Sequence, residues 1–206
     1  MTLIQFNNIS LRFGDKIVFD NYNMHVNKGE KILLSAPSGS GKSSLFKLLM
    51  GFQRPQAGDI VLNGKRLQKN NLTYFRSSIG YVSQDVNLRN IEAWDLITEI
   101  FSYKQNNHIE INKEEVLNLI EYFNLSSDIL NKKVSQLSGG ERQRLGLIIC
   151  ILLDRPIWLL DEVTSGLDKD MKEKVVDYVL NQDKTVLIIS HDRVWSKNNA
   201  VRIEEW

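Results

Sequence analysis

Apolar and polar side chains alternate over the first thirty residues. Every second position is apolar in two segments, first Ile9, Leu11 and Phe13, and then Tyr22, Met24 and Val26. A period of two is typical of strands with one buried and one solvated face. The pattern therefore predicts an antiparallel sheet between residue 2 and about residue 30.

Three other segments have the length of strands and contain continuous apolar runs without alternation: residues 31–35, 157–160 and 185–189. Such runs suit the central strands of a parallel sheet, which are buried on both faces. Polar groups follow each run: the sequence SGSGKS after the first, Asp161-Glu162 after the second, and Ser190-His191-Asp192 after the third. In open α/β sheets ligands bind beyond the carboxyl ends of the strands, so we expect a site at these groups.

Helical spacing of apolar residues appears in three places. Residues 90 to about 135 carry two such faces, one with Trp94, Ile97 and Phe101 and one with Val116, Leu119, Ile120 and Phe123. We interpret this part as an inserted helical lobe. Two further helices are predicted at residues 139–153, apolar nearly all round from Leu145, and at residues 169–180.

Composition and charge exclude several classes of protein. The chain has 206 residues, of which 42% are apolar and 25% are charged, and its net charge is +1. We expect one compact unit without disordered regions, and phosphate binding at a local site; a general nucleic-acid partner is not expected. The longest apolar run, residues 147–153, is far below the ~20 residues of a bilayer span, and no signal peptide is recognisable. The single cysteine, Cys150, is expected to be a buried structural thiol.

Residues 36–43 read APSGSGKS and match the phosphate-binding loop pattern except that Ala36 replaces its first glycine. In such a loop backbone N–H groups and a helix amino terminus bind phosphate, a lysine reaches the terminal phosphates, and a serine binds Mg²⁺. A glycine-serine loop that merely caps a helix is the alternative. The candidate nucleotide-binding residues are Ser38, Gly39, Ser40, Gly41, Lys42, Ser43 and Ser44.

Asp161 and Glu162 are adjacent carboxylates at the end of a buried strand. Successive residues of a strand point in opposite directions, so one carboxylate can serve a metal ion while the other serves a water molecule. Phosphoryl transfer needs both functions. An exposed acidic turn would be the alternative for this dipeptide taken alone.

Ser138 precedes the predicted buried helix, and Glu141 follows three residues later. This spacing predicts a capping box, while Gly139 and Gly140 expose backbone N–H groups that could bind a second anion. The two interpretations are compatible. One nucleotide does not explain why a chain should need two anion sites.

The ordered set APSGSGKS, Gln84, LSGGERQR, LLDEVTSGLD and SHD resembles the ATPase subunits of the ATP-binding cassette (ABC) transporters over essentially all 206 residues. This resemblance implies one α/β domain over residues 1–206, with a RecA-like P-loop NTPase core, an N-terminal antiparallel β-subdomain and the inserted helical subdomain. Glu141, Val163 and Phe13 depart from the commonest residues of the family. Val163 and the short chain also resemble the cassette subunit of the bacterial Fet-type iron exporters.

The resemblance also implies a role for each motif residue. Phe13 would stack on adenine, although core packing is the alternative for this side chain. Gln84 would contact Mg²⁺ and the transmembrane partner. Asp161 would be the carboxylate on the side of the metal ion, and His191 would contact the γ-phosphate. Glu162 would be the general base, and Asp168 would belong to the loop that crosses the dimer.

On the same resemblance the chain would bind MgATP, form a homodimer in the ATP-bound state, and drive integral-membrane permease subunits from the cytoplasmic face of the cell membrane. Head-to-tail pairing would close Ser138, Gly139 and Gly140 of one chain on the ATP of the other, which accounts for the second anion site. A cassette with a mechanical or regulatory role at the membrane would carry the same motifs. A DNA-repair ATPase head would need a coiled-coil insertion, and translation-factor cassettes come in pairs. A degenerate nucleotide binder is disfavoured because Lys42, Asp161, Glu162 and His191 are all present.

Overall fold

The computed structural model describes residues 1–86 and 88–206. The strands are β1 (Thr2–Phe13), β2 (Lys16–Asn27), β3 (Lys31–Ser35), β4 (Ala57–Leu62), β5 (Lys65–Arg66), β6 (Ile79–Val82), β7 (Ile157–Asp161), β8 (Thr185–Ile189) and β9 (Val201–Glu205). The helices are α1 (Lys42–Leu49), α2 (Leu72–Ser77), α3 (Ala93–Ser102), α4 (Lys113–Tyr122), α5 (Gly139–Leu152), α6 (Lys169–Leu180) and α7 (Arg193–Ser196). Short 3₁₀ turns cover Lys69–Asn71, Ser127–Asn131 and Val134–Gln136.

An antiparallel sheet with the order β2-β1-β4-β5 contains the first thirty residues. In its centre Ile4 lies opposite Val26 and Phe6 lies opposite Met24, and all four side chains are buried. The alternating pattern thus correctly predicted an antiparallel sheet with one apolar face. The sheet is larger than predicted, because β4 pairs with the other edge of β1.

The second sheet is parallel and has the order β6-β7-β8-β3-β9. Its three central strands are the three segments whose continuous apolar character predicted them. Every residue of β7 and β8 is buried. The carboxyl ends of β3, β7 and β8 therefore lie side by side, and the polar residues that follow them meet at one edge.

The parallel sheet separates two apolar cores. Alternate residues of its strands, such as Leu159 and Ile189, face a core shared with α1 and the antiparallel sheet. The others, such as Leu160 and Ile188, face a core shared with α3 to α6. Cys150 lies in the second core, where burial raises the pKa of its thiol to about 12.

The helices agree with the periodicity of the sequence. Helix α6 has the predicted bounds and buries Met171, Val175, Val176 and Val179. Helices α3 and α4 lie within residues 90–135, where Ile97 and Phe101 of α3 and Val116 of α4 enter the same core. Across residues 1–86 and 88–206, no helix has both the length and the apolar character that a membrane crossing requires.

Candidate nucleotide-binding site

The phosphate loop joins the end of β3 to the start of α1, as its mechanism requires. Gly41 precedes α1 with a φ of 108°, a left-handed conformation that favours glycine. A Cβ atom added there would lie 2.3 Å from Cγ1 of Val18 and 3.1 Å from Cζ of Phe19. Only glycine therefore allows the loop to approach β2 this closely.

Lys42 lies at the centre of the loop and is 8% exposed. Its ammonium group donates to the carbonyl oxygens of Ala36 at 2.5 Å and Pro37 at 3.2 Å. The loop thus curls around a buried cation. Helix α1 begins at Lys42, so this cation stands at the helix amino terminus, where anions bind.

Lys16 is a second cation at the loop, and sequence reasoning missed it. It begins β2, and its Nζ atom donates to the carbonyl oxygen of Gly39 at 2.9 Å. The residue carries no motif, because its position depends on a hairpin that folds back over a distant loop. Its place three residues after Phe13 is the signal that could have found it.

Asp161 ends β7 next to the start of α1. The hydroxyl of Ser43 donates to Oδ2 of Asp161 at 3.3 Å. Burial raises the pKa of the Asp161 carboxyl, the hydrogen bond from Ser43 lowers it, and the nearby charge of Glu162 raises it. The net shift is upward, so this carboxylate lies where a positive charge would be stabilising.

Glu162 follows with a φ of 54°, so the alternation of the strand does not continue through it. Asp161 and Glu162 both line the same cavity. The Glu162 N–H donates to the carbonyl of Ile189 at 2.8 Å, and Gln143 donates to the Glu162 carbonyl at 3.2 Å. These bonds hold a backbone conformation that costs a non-glycine residue about 1–3 kcal/mol.

His191 faces Glu162 across the end of β8. The His191 N–H donates to Oε2 of Glu162 at 3.4 Å, and the ring Nε2 lies 3.6 Å from Oε1. The imidazole is mostly exposed, whereas the Glu162 side chain is buried. Glu162, the predicted general base, and His191, the residue predicted to contact the γ-phosphate, are therefore in contact.

Behind this pair lies a buried polar network that the sequence did not reveal. The Thr164 hydroxyl donates to Asp192 at 2.6 Å and accepts from the indole of Trp195 at 3.2 Å. Lys172 of α6 pairs with the same Asp192 carboxylate at 2.5 Å. The network fixes the residue after His191 to the turn after Glu162.

One cavity of about 340 Å³ collects most of the predicted site residues. Its lining consists of Phe13, Lys16, Val18, Ser38, Gly39, Gly41, Lys42, Ser43, Ser44, Gln84, Asp161, Glu162, Ile189 and His191. Phe13 stands at its mouth with 52% of its surface exposed, which excludes the core alternative for this side chain. The cavity thus offers an aromatic face, two cations and two carboxylates.

Five predicted site residues lie outside this cavity: Ser40, Ser138, Gly139, Gly140 and Asp168. Gly139 and Gly140 line a second cavity together with Gln84, Gln143 and Gly166. Ser138 and Glu141 form the predicted capping box, with bonds of 3.2 Å and 2.8 Å. Asp168 caps α6 by accepting from the Met171 N–H at 2.9 Å.

The residues beside Ser43 suit magnesium. Ser43, Gln84 and Asp161 offer oxygen atoms, which Mg²⁺ prefers, and all three line the cavity. Within the part of the chain that the structure describes, no group of three His, Cys, Asp or Glu side chains could hold a metal ion by itself. Mg²⁺ would accordingly share its coordination between these side chains and the phosphates of a ligand, as it usually does.

Comparisons with known proteins agree with this geometry. Residues 19–165 match the family described as ABC transporter. The chain is 32% identical to the probable iron export ATP-binding protein FetA of Escherichia coli, over 93% of this chain and 85% of that protein. It is 36% identical to an ATP-dependent lipid A-core flippase of Ralstonia nicotianae, over 97% of this chain but only 35% of the flippase.

A solved structure extends the comparison to the fold. A dimeric ATP-binding cassette in a post-hydrolysis state, bound to ADP and Pi, is 27% identical and superposes with a TM-score of 0.78 over 92% of this chain and 88% of that one. The chain thus has the fold of a solved ATP-binding cassette. The chain belongs to the ABC transporter family, as an ATP-binding cassette of that family.

Proposed function

We propose that this cassette hydrolyses MgATP between two copies of itself and thereby drives integral-membrane permease subunits. One observation carries the proposal: the phosphate-loop cavity and the Gly139-Gly140 cavity are separate surfaces that share only Gln84 among the described residues. Each chain therefore offers two incomplete anion sites. Head-to-tail pairing of two chains would complete both.

In the proposed reaction each residue has a defined task. Lys42 and the loop N–H groups bind the phosphates, and Phe13 stacks on the adenine. Glu162 accepts a proton from the attacking water, and His191, in contact with Glu162, holds the γ-phosphate. Ser43, Gln84 and Asp161 would hold Mg²⁺, which neutralises phosphate charge when bound. Ser138, Gly139 and Gly140 of the second chain, with Asp168 nearby, would close the site.

The relatives support the coupling to a membrane partner. The similar protein from E. coli is named as an iron export ATP-binding protein, and the flippase contains a cassette as about a third of its length. We therefore infer that this cassette works as a peripheral subunit on the cytoplasmic face of a membrane. Exposed Gln84, which lines both cavities, would transmit the state of the nucleotide to the permease.

The shared site can be tested by complementation. Lys42→Ala removes the phosphate-binding cation, and Ser138→Arg places a bulky cation in the closing surface, so each variant alone should be inactive. In a mixed dimer one site keeps Lys42 of one chain and Ser138 of the other, while the second site is damaged twice. Random pairing in an equal mixture leaves about a quarter of the wild-type sites intact.

We expect ATPase activity to reappear at roughly that level when the two inactive variants are mixed. Ser127→Arg provides a matched control, because it adds the same side chain at an exposed serine outside both cavities, and it should be active alone. If the mixture stays inactive while wild-type activity is strictly linear in protein concentration, the chain works as a single copy and the proposed dimer is refuted.

A further inference from the structure

Trp206 lies beside the phosphate loop. Strand β9 pairs in parallel with β3, and Glu205 is opposite Ser35, the last residue before the loop. The next residue, Trp206, is therefore level with the start of the loop. Its indole N–H donates to the carbonyl oxygen of Ser40 at 3.3 Å.

Trp206 forms an aromatic cluster with Phe19 and Tyr22, and these two rings hold its indole in place. Its centroid lies 6.0 Å from that of Phe19 and 5.4 Å from that of Tyr22, and the latter two rings stack at 5.0 Å. The Tyr22 hydroxyl lies 3.5 Å from the carboxylate of Glu204 on β9. Because neighbours fix the ring on several sides, the direction of its N–H is set by the fold.

The hydrogen bond from Trp206 constrains the backbone at Ser40, which would otherwise be free to rotate. Ser40 stands between Gly39 (φ 77°) and Gly41 (φ 108°), and glycines permit rotation of the peptide units around them. The Ser40 carbonyl and the Gly41 N–H belong to one planar trans peptide and point in opposite directions. A bond to the carbonyl on the Trp206 side therefore turns the Gly41 N–H to the other side.

The other side is the nucleotide cavity. Gly41 lines it, whereas Ser40 does not. Among the contacts described for residues 1–86 and 88–206, the Gly41 N–H has no acceptor within the chain. A phosphate oxygen is the acceptor that such an N–H would take, and a carbonyl turned inward would repel it.

We propose that Trp206 is a positioning residue of the phosphate loop, which orients the Gly41 N–H toward the phosphates before nucleotide binds. This inference rests on the proposed nucleotide site and adds a residue that belongs to none of its motifs. It predicts an effect on the ground-state binding of phosphates, because the bond exists in the free protein and acts equally on substrate and transition state.

Trp206→Phe tests the inference because it keeps an aromatic ring in the cluster and removes the indole N–H together with the five-membered ring that carries it. We expect the Kd for MgATP and for MgADP to rise about 3- to 10-fold, the range of a typical hydrogen bond, while kcat at saturating MgATP stays within about twofold of wild type. Trp94→Phe is the matched control, since Trp94 lies in α3 outside the cavity, and it should change neither value.

A second readout does not depend on nucleotide. With ¹⁵N-glycine labelling, the Gly41 amide resonance of the free protein should shift or broaden in Trp206→Phe and stay in place in Trp94→Phe. Unchanged Kd values together with an unmoved Gly41 resonance would overturn the inference, and so would a fall in kcat alone. If the wild-type chain binds MgATP without hydrolysing it, the proposed function fails, while the Kd comparison still decides the role of Trp206.

Discussion

Replacing Glu162 by glutamine tests the proton-accepting role that we propose for this residue. The glutamine has the same shape and keeps a carbonyl oxygen that can accept from the His191 N–H, now bonded to Oε2 at 3.4 Å. The backbone bonds from Glu162 to Ile189 and from Gln143 to Glu162 do not involve the side chain that changes. The substitution should therefore leave the fold and the cavity intact and remove only the base.

The expected loss follows from the contribution of a general base. Such groups supply about 10²- to 10⁴-fold in rate, which corresponds to a barrier higher by roughly 2.7 to 5.4 kcal/mol. ATP affinity should be retained or increased, because one negative charge disappears from a cavity that must accept phosphates. A loss in kcat with an unchanged Kd is the signature of an interaction made only in the transition state.

Turnover is measured by phosphate release at saturating MgATP, and affinity is measured by calorimetry on the same preparation. Glu173→Gln provides the control, since Glu173 lies on the exposed face of α6, where it pairs with Lys169. Turnover within about threefold of wild type would remove Glu162 from the chemistry, because it lies below the smallest contribution of a base. A rise in Kd that matches the loss in rate would instead indicate damage to nucleotide binding.

Two further predictions concern the cavity. Phe13→Ala should raise the Kd for ATP about fivefold or more because stacking on the adenine is lost, whereas Phe13→Tyr should be close to neutral. Phe52→Ala, at another exposed phenylalanine, is the control, and an unchanged Kd in Phe13→Ala would contradict stacking. Asp161→Asn should raise the thermal midpoint of the ligand-free protein at pH 7.5, because burial raises the pKa of Asp161 and its ionised form is unfavourable in the folded state. The rise in thermal midpoint should shrink as the pH falls through the raised pKa of Asp161. The control Asp20→Asn, at an exposed position, should not show this pH dependence, and a rise in Asp161→Asn that does not depend on pH would refute the explanation.

The sequence predicted those parts of the fold that depend on local pattern. Strands β7 and β8 could be recognised because both faces are buried and the apolar run is uninterrupted. Helix α6 was predicted to the residue because its apolar side chains follow a regular helical spacing. Family membership could be predicted for a similar reason, since each motif is a short run whose chemistry requires fixed spacing.

Other features depend on contacts between distant residues and left no local pattern. Strand β4 joins the antiparallel sheet only because the chain returns to β1 after α1. Lys16 and Trp206 reach the phosphate loop from positions 23 and 166 residues away in sequence. The left-handed conformation of Glu162 was also hidden, because glutamate has no preference for it and the surrounding hydrogen bonds impose it.

The position of Glu162 depends on two strands at once. Its side chain follows β7, but its N–H bonds to Ile189, the last residue of β8, and His191 leaves the sheet two residues later. Because β7 and β8 are neighbours with Asp161 opposite Ile189, the register of this pair sets the spacing between Glu162 and His191. Trp195 and Thr164 then tie the two turns together from behind. A single chain therefore holds Glu162, His191 and the phosphate loop in place, and in the proposed function closure of the γ-phosphate side is the step that a second chain would supply.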